Sequence, residues 1–214
     1  MVASDEEQVE RLREWWAEHG KTVIAGVTLG VAGLIGWYGW QGYQDNRLHA
    51  AAVGYAELDQ ATMIPAEADP ALIEQARAFA EDYSGTAYAP LALLIGASLA
   101  AEHDQPSVAI AYLERVQEIA REPELVATAK LQKARLLWAE GEHAQARETL
   151  TNPPKGFVGL FYELEGDIAA DAGDIIAARN AFERAIEAGG SQLLGLKLDS
   201  LPTADNTVDE GGDS

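Results

Sequence analysis

The sequence predicts an all-α chain: a single membrane-spanning helix near the amino end, then a domain built from short helices. Three observations carry that expectation. Residues 22–44 (TVIAGVTLGVAGLIGWYGWQGYQ) contain no charge over twenty-three positions, between Lys21 and Asp45. After Asp45 apolar residues recur at spacings of three and four, the period of a helix with one buried face. No segment alternates as a half-buried strand does.

Residues 1–21 form a short leader in which Val9, Leu12, Trp15 and Trp16 share an amphipathic face leading into the apolar stretch. At 1.5 Å per residue, residues 22–44 match a bilayer core, for which about twenty apolar residues suffice. Trp15 and Trp16 precede the span, and Trp37, Tyr38, Trp40 and Tyr43 close it. Trp16 and Trp37 are separated by roughly 31 Å of helix, the spacing of two headgroup layers. A buried core helix rarely needs so long an uncharged run. A cleavable signal peptide could use Ala50-Ala51-Ala52, but its apolar block is shorter and its leader does not carry six acids. A helical anchor is therefore expected. Arg11, Arg13 and Lys21 precede it, and Arg47 is the one basic residue in the twenty that follow, which places the amino end in the cytoplasm. Gly26, Gly30 and Gly33 fall on one face of this helix, with Gly26 and Gly30 as a GxxxG pair; such a face admits close approach of another helix. Glycine is also common in membrane helices generally.

Residues 48–63 continue as an alanine-rich helix up to Pro65, and Asp69-Pro70 starts the next, with Asp as cap and Pro in the first turn. That helix places Leu72, Ala76, Phe79, Ala80 and Tyr83 on one face until Ser84-Gly85-Thr86 breaks it. From Tyr88 a nearly all-apolar helix runs to His103, and its composition predicts burial on most sides. Val108, Tyr112, Val116 and Ile119 mark the next, ending near Pro123. Residues 125–140 follow, then a short helix containing Ala146 and Leu150 that Asn152-Pro153-Pro154 stops. Residues 157–172 and 175–188 form a last clear pair, and residues 192–201 (QLLGLKLDSL) suit a closing helix. After Pro202 the chain is small, polar and acidic, the composition of a disordered tail over 202–214.

Some of these segments repeat. Gly141-Glu142-x-x-x-Ala146-Arg147 recurs as Gly173-Asp174-x-x-x-Ala178-Arg179, and the second copy goes on to Phe182 and Ala185. Small residues let two helices approach, and the aromatic fills the gap to the next pair. Asp104, Ala109 and Leu113 read as a weaker earlier copy without glycine at the turn, and Tyr162 and Gly166 fit the first helix of the last copy. The pattern resembles a tetratricopeptide-like solenoid of three to four helix pairs, the alternative being a non-repeating bundle.

The chain has thirty-five acidic and fifteen basic residues, a formal charge of −20. That balance argues against nucleic acid as a partner and against adsorption on anionic lipid. The absence of cysteine rules out disulfides, thiolate metal sites and a cysteine nucleophile. His103 and His143 lie in turns beside Glu102, Asp104, Glu140 and Glu142, but neighbours in sequence do not converge on one ion, and no HxxxH or HExxH spacing occurs. No phosphate loop, dinucleotide fingerprint or GxSxG is present. The expectation is a protein with no catalytic residues, cofactor or metal.

The opening Glu7-Gln8-Val9-Glu10, then Trp15-Trp16-Ala17-Glu18-His19-Gly20-Lys21, Leu29-Gly30, Ile35-Gly36-Trp37 and Trp40, is similar to the amino end of the YfgM-type ancillary subunits of the SecYEG translocon. Ser84-Gly85-Thr86-Ala87-Tyr88-Ala89, Gly166-Asp167, Gly173-Asp174 and Leu196-Lys197-Leu198-Asp199-Ser200-Leu201 extend the similarity over roughly residues 6–201. The resemblance implies a bacterial inner-membrane protein with residues 45–201 in the periplasm. It further implies association with the SecYEG translocon and with the membrane-anchored periplasmic chaperone PpiD, in support of newly exported client proteins. A scaffold for another envelope assembly, in division or outer-membrane biogenesis, is the competing reading.

Overall fold

A computed structural model describes residues 5–63, 69–191 and 193–202. The expected acidic tail from 203 onward lies outside the described residues. Among the described residues all regular structure is helical, and the chain divides into two units, Met1–Ala50 and Ala51–Ser214.

The first unit is the greater part of α1 (Asp5–Ala61). Its most apolar window has none of its residues buried in the protein, so the apolar side chains need a non-aqueous solvent other than the protein's own core. The polar groups along it are settled locally. The Thr28 hydroxyl donates to the Ile24 carbonyl at 2.8 Å, and Trp15 stacks on His19 with ring centroids 5.5 Å apart. Gly20 lies under the Trp16 indole, where a methyl group would come within 3.2 Å of the ring.

The second unit begins with the last residues of α1 and continues through α2 (Ala71–Asp82), α3 (Tyr88–Glu102), α4 (Pro106–Ile119), α5 (Pro123–Ala139), α6 (His143–Thr149), α7 (Val158–Asp171), α8 (Ile175–Glu187) and α9 (Leu193–Ser200). The N-cap of α2 is Pro70 rather than the expected Asp69, because helical geometry begins only at Ala71; Asp69 lies one residue before the cap, where its carboxylate accepts the Ala71 N–H at 2.8 Å. α3 buries eight residues, from Ala89 to Ala100, in agreement with its nearly all-apolar composition. α6 ends at Thr149 because the prolines that follow cannot continue a helix.

Successive helices pack on one another, and the turn chemistry shows which are paired. After α5, Gly141 takes φ 80°; its N–H donates to Trp138 O at 2.9 Å and the Glu142 N–H to Leu137 O at 2.8 Å. After α7, Gly173 takes φ 76° and makes the same two bonds, to Ala170 O at 3.0 Å and, from Asp174, to Ala169 O at 2.9 Å. This is the Schellman closure, which wants a left-handed residue and hence glycine. Asp104, after α3, adopts φ 57° and closes the same way, with Gln105 donating to Ala100 O at 2.8 Å. The copy that lacks glycine is thus a full structural copy.

The equivalent positions after each turn are filled alike. Ala109, Ala146 and Ala178 are all fully buried, and Leu113, Leu150 and Phe182, four residues further on, are buried as well. Three pairs result, α3–α4, α5–α6 and α7–α8, and the chain is a stacked helical repeat rather than an irregular bundle. Gly166 on α7 carries no side chain because the Phe182 ring of α8 occupies the space its Cβ would need. Gly96 on α3 does the same for Ala76 and Tyr112, each 2.9 Å from where a methyl would sit. α9 closes the stack through Leu194, with Leu201 just after it, both buried.

Candidate interaction surface

Two surfaces follow from this arrangement, one on each unit. On α1, Gly26, Gly30 and Gly33 are exposed, and a Cβ added at any of them meets nothing within 4 Å. They form a strip where the backbone is uncovered, the surface a second apolar helix needs for close approach. The neighbouring Ile24, Val27 and Leu34 are also exposed.

On the repeat unit, the first helices of the pairs, α3, α5 and α7, lie side by side. A hollow of about 270 Å³ opens between α3 and α5, floored by Ala97, Ala101, Leu113 and Leu136 and edged by Ser98, Gln132 and Arg135. Between α5 and α7 the seam is tied by polar groups. The Trp138 Nε1–H donates to Asp171 Oδ2 at 2.7 Å, and His143 Nε2 lies 3.0 Å from the same oxygen. The hydrogen bond with His143, followed by that from Trp138, holds the Asp171 carboxyl below its ordinary range. Arg147 adds contacts to Asp174 at 3.3 Å and Glu165 at 3.8 Å.

At the end of the stack, Lys197 of α9 reaches Asp167 at 2.8 Å and Glu163 at 3.0 Å on α7. Burial pushes the Lys197 ammonium down, but the hydrogen bonds to the two carboxylates outweigh it, so its pKa is raised. Leu160, Leu193 and Leu196 are more than half exposed in this part of the unit. The α3–α5 junction is thus an apolar hollow with a polar edge, the junction of α5 and α6 with α7 is polar and charged, and exposed leucines lie on α7 and α9.

The residues at these seams were not identifiable in the sequence. Trp138 and Asp171 are separated by 33 positions and His143 and Asp171 by 28, close to one repeat length, but only the stacking of pairs brings them together. Among the described residues no three His, Cys, Asp or Glu side chains converge to hold a metal ion. Of the two His-containing turns, the one at α3 leaves His103 Nε2 buried without a hydrogen-bond partner among the described residues.

Comparison with known proteins places the chain. Residues 13–203 match the family model described as a tetratricopeptide repeat-like domain. A protein of Haemophilus influenzae named ancillary SecYEG translocon subunit is 34% identical over 202 residues, covering 92% of this chain and 97% of that relative. Proteins of the same name from Escherichia coli and Aggregatibacter actinomycetemcomitans are 28% and 27% identical, with the same shares of each chain covered. No solved structure matches the chain significantly.

Proposed function

The chain belongs to the tetratricopeptide repeat-like family, in its branch of ancillary SecYEG translocon subunits, and we propose accordingly that it is a single-pass inner-membrane protein associated with the Sec translocon. The observation that carries the reading is α1, which is long and apolar enough to cross a membrane and exposed throughout its most apolar window. The anchor comprises residues 22–44, the leader before it is cytoplasmic, and the repeat domain lies in the periplasm. The distribution of Arg11, Arg13 and Lys21 against Arg47 supports this orientation.

In this reading the protein is non-catalytic and works by tethering. The anchor holds the helical domain near the channel exit and raises its effective concentration there, where it cooperates with the anchored chaperone PpiD on newly exported proteins. The polar, charged junction of α5 and α6 with α7 supports specific docking of a partner there. Gly26, Gly30 and Gly33 are the contact face of the anchor. Photocrosslinking residues placed at these three positions in cells test the reading. Capture of SecY, SecG or PpiD is expected. Reproducible capture of division or outer-membrane assembly factors alone would replace it with the envelope-scaffold reading.

A further inference from the structure

We propose that the exposed edge of α9 is a docking site for an amphipathic helix of another protein, one with an apolar face flanked by lysine or arginine. In stacked helical repeats the terminal element turns a polar face to water. α9 does not. It buries Leu194, yet Leu193 and Leu196 are 62% and 67% exposed, and Leu160 of α7 is 51% exposed. Gly190, just before α9, lies 3.6 Å from where a Cβ on Gly159 would sit, and Lys197 reaches Glu163 and Asp167. α9 therefore runs beside α7 in the same direction. Leu193, one turn before Lys197, is set next to Leu160, one turn before Glu163. The three leucines make one apolar edge across the α7–α9 seam.

The helix order says that a helix fits there. α3, α5 and α7 are each followed by a second helix that packs on them, whereas α9 is followed by Pro202 and by no second helix among the described residues. Leucines three residues apart form a ridge that takes the apolar face of an incoming helix. The surrounding charge gives that helix its sign. Glu163, Asp167 and Asp199 stand against Lys197, and three carboxylates to one ammonium leave two negative charges. Asp199, three residues after Leu196, makes no hydrogen bond or ion pair to any described residue. Arg184 of α8 is turned over the Tyr162 ring, its guanidinium carbon 5.5 Å from the centroid. With a chain charge of −20 behind this rim, a basic helix is drawn in and then matched at the edge. A second copy brings the same excess of acid. So does the chain's own segment 203–214, which has four acids, no base and Val208 as its one large apolar residue.

This inference rests on the reading of the domain as a docking module and adds the chemistry of one docked partner. Its test is fluorescence anisotropy with the full-length protein in zwitterionic nanodiscs, empty discs serving as the blank. Two labelled helical peptides are compared, alike in a leucine face and differing in lysine or glutamate on the flanks. The lysine peptide should bind saturably above the blank, more weakly as salt is raised, and the glutamate peptide should not. Leu193→Ser with Leu196→Ser should weaken the lysine peptide by about tenfold or more, the size of one lost leucine burial. Asp199→Lys should weaken it by about two- to fivefold. All three positions lie on the outside of α9, and unchanged amide exchange at Leu194 shows that the helix stays in place. Absence of saturable binding by the lysine peptide, equal binding of the glutamate peptide, or binding indifferent to the leucine substitutions overturns the proposal. So does concentration-dependent dimerisation of the peptide-free protein that the leucine substitutions abolish, which would give the edge to a second copy. None of these results bears on the anchor contact, which crosslinking from α1 reads separately.

Discussion

Replacing Gly166 with alanine puts a methyl carbon where the Phe182 ring already lies, and the effect should change sign when that ring is removed. In the wild type the added Cβ would overlap two ring carbons of Phe182 and lie 3.0 Å from a third. Phe182 is 2% exposed and cannot swing away without disturbing Ala178 and Ala185 beside it. Overpacking of this kind costs about 1–3 kcal/mol, and so severe an overlap belongs at the upper end. Alanine in place of a mid-helix glycine returns about 1 kcal/mol. The expected net is a destabilisation of about 2 kcal/mol. Phe182→Ala alone should cost about 3–5 kcal/mol. With the ring gone, Gly166→Ala keeps its helical gain and loses its clash, so it should stabilise by about 1 kcal/mol, a coupling of about 3 kcal/mol. Urea unfolding of the full chain in detergent, followed by circular dichroism at 222 nm, measures all four corners of the cycle. Additive effects, within about 0.5 kcal/mol, would refute the account of how α7 and α8 are fitted together.

Four further outcomes are expected. Asp104→Gly should stabilise the unit by about 0.5–1 kcal/mol, since Asp104 holds the left-handed conformation that Gly141 and Gly173 hold at the equivalent turns; the same urea titration checks it. Asp171 has its folded pKa depressed, so its contribution to stability is present above the ordinary carboxylate range and is lost as pH falls through the folded value. The fluorescence of Trp138 should therefore change in acid below about pH 4, and Asp171→Ala should abolish that step. Lys197 has its folded pKa raised, so its contribution is complete below the ordinary lysine value and is lost as pH rises through the folded one. Lys197→Met should cost about 0.5–1 kcal/mol after allowance for solvent screening, with faster amide exchange confined to α9. Because the chain has no cysteine, single cysteines at Glu14 and Ser98 report orientation: in intact spheroplasts an impermeant maleimide should label the second and not the first.

The long apolar helix near the amino end and the order of the helices were legible in the sequence because each rests on local chemistry. An uncharged run of fixed length, Pro153 and Pro154 after α6, and Gly141 and Gly173 at the turns act on their own neighbours. Asp104 was harder to read, since aspartate enters the left-handed region only where the surrounding helices impose it. Its copy was marked by Ala109 and Leu113, which pack as Ala178 and Phe182 do. The surface of the repeat unit was not legible. Trp138, His143 and Asp171 meet only because consecutive pairs stack, and Lys197 finds Glu163 and Asp167 across 34 and 30 residues. Periodicity says which face of a helix is buried, whereas a docking surface depends on what the exposed faces of several helices share.

The association with the translocon is tested most directly by purifying the tagged full-length protein from native membranes in mild detergent and measuring SecY in the eluate. The account predicts that SecY copurifies, and that leucine at both Gly26 and Gly30 reduces its recovery while the protein remains in the membrane fraction. An eluate without SecY, from membranes in which the translocon is intact and the protein abundant, would contradict it.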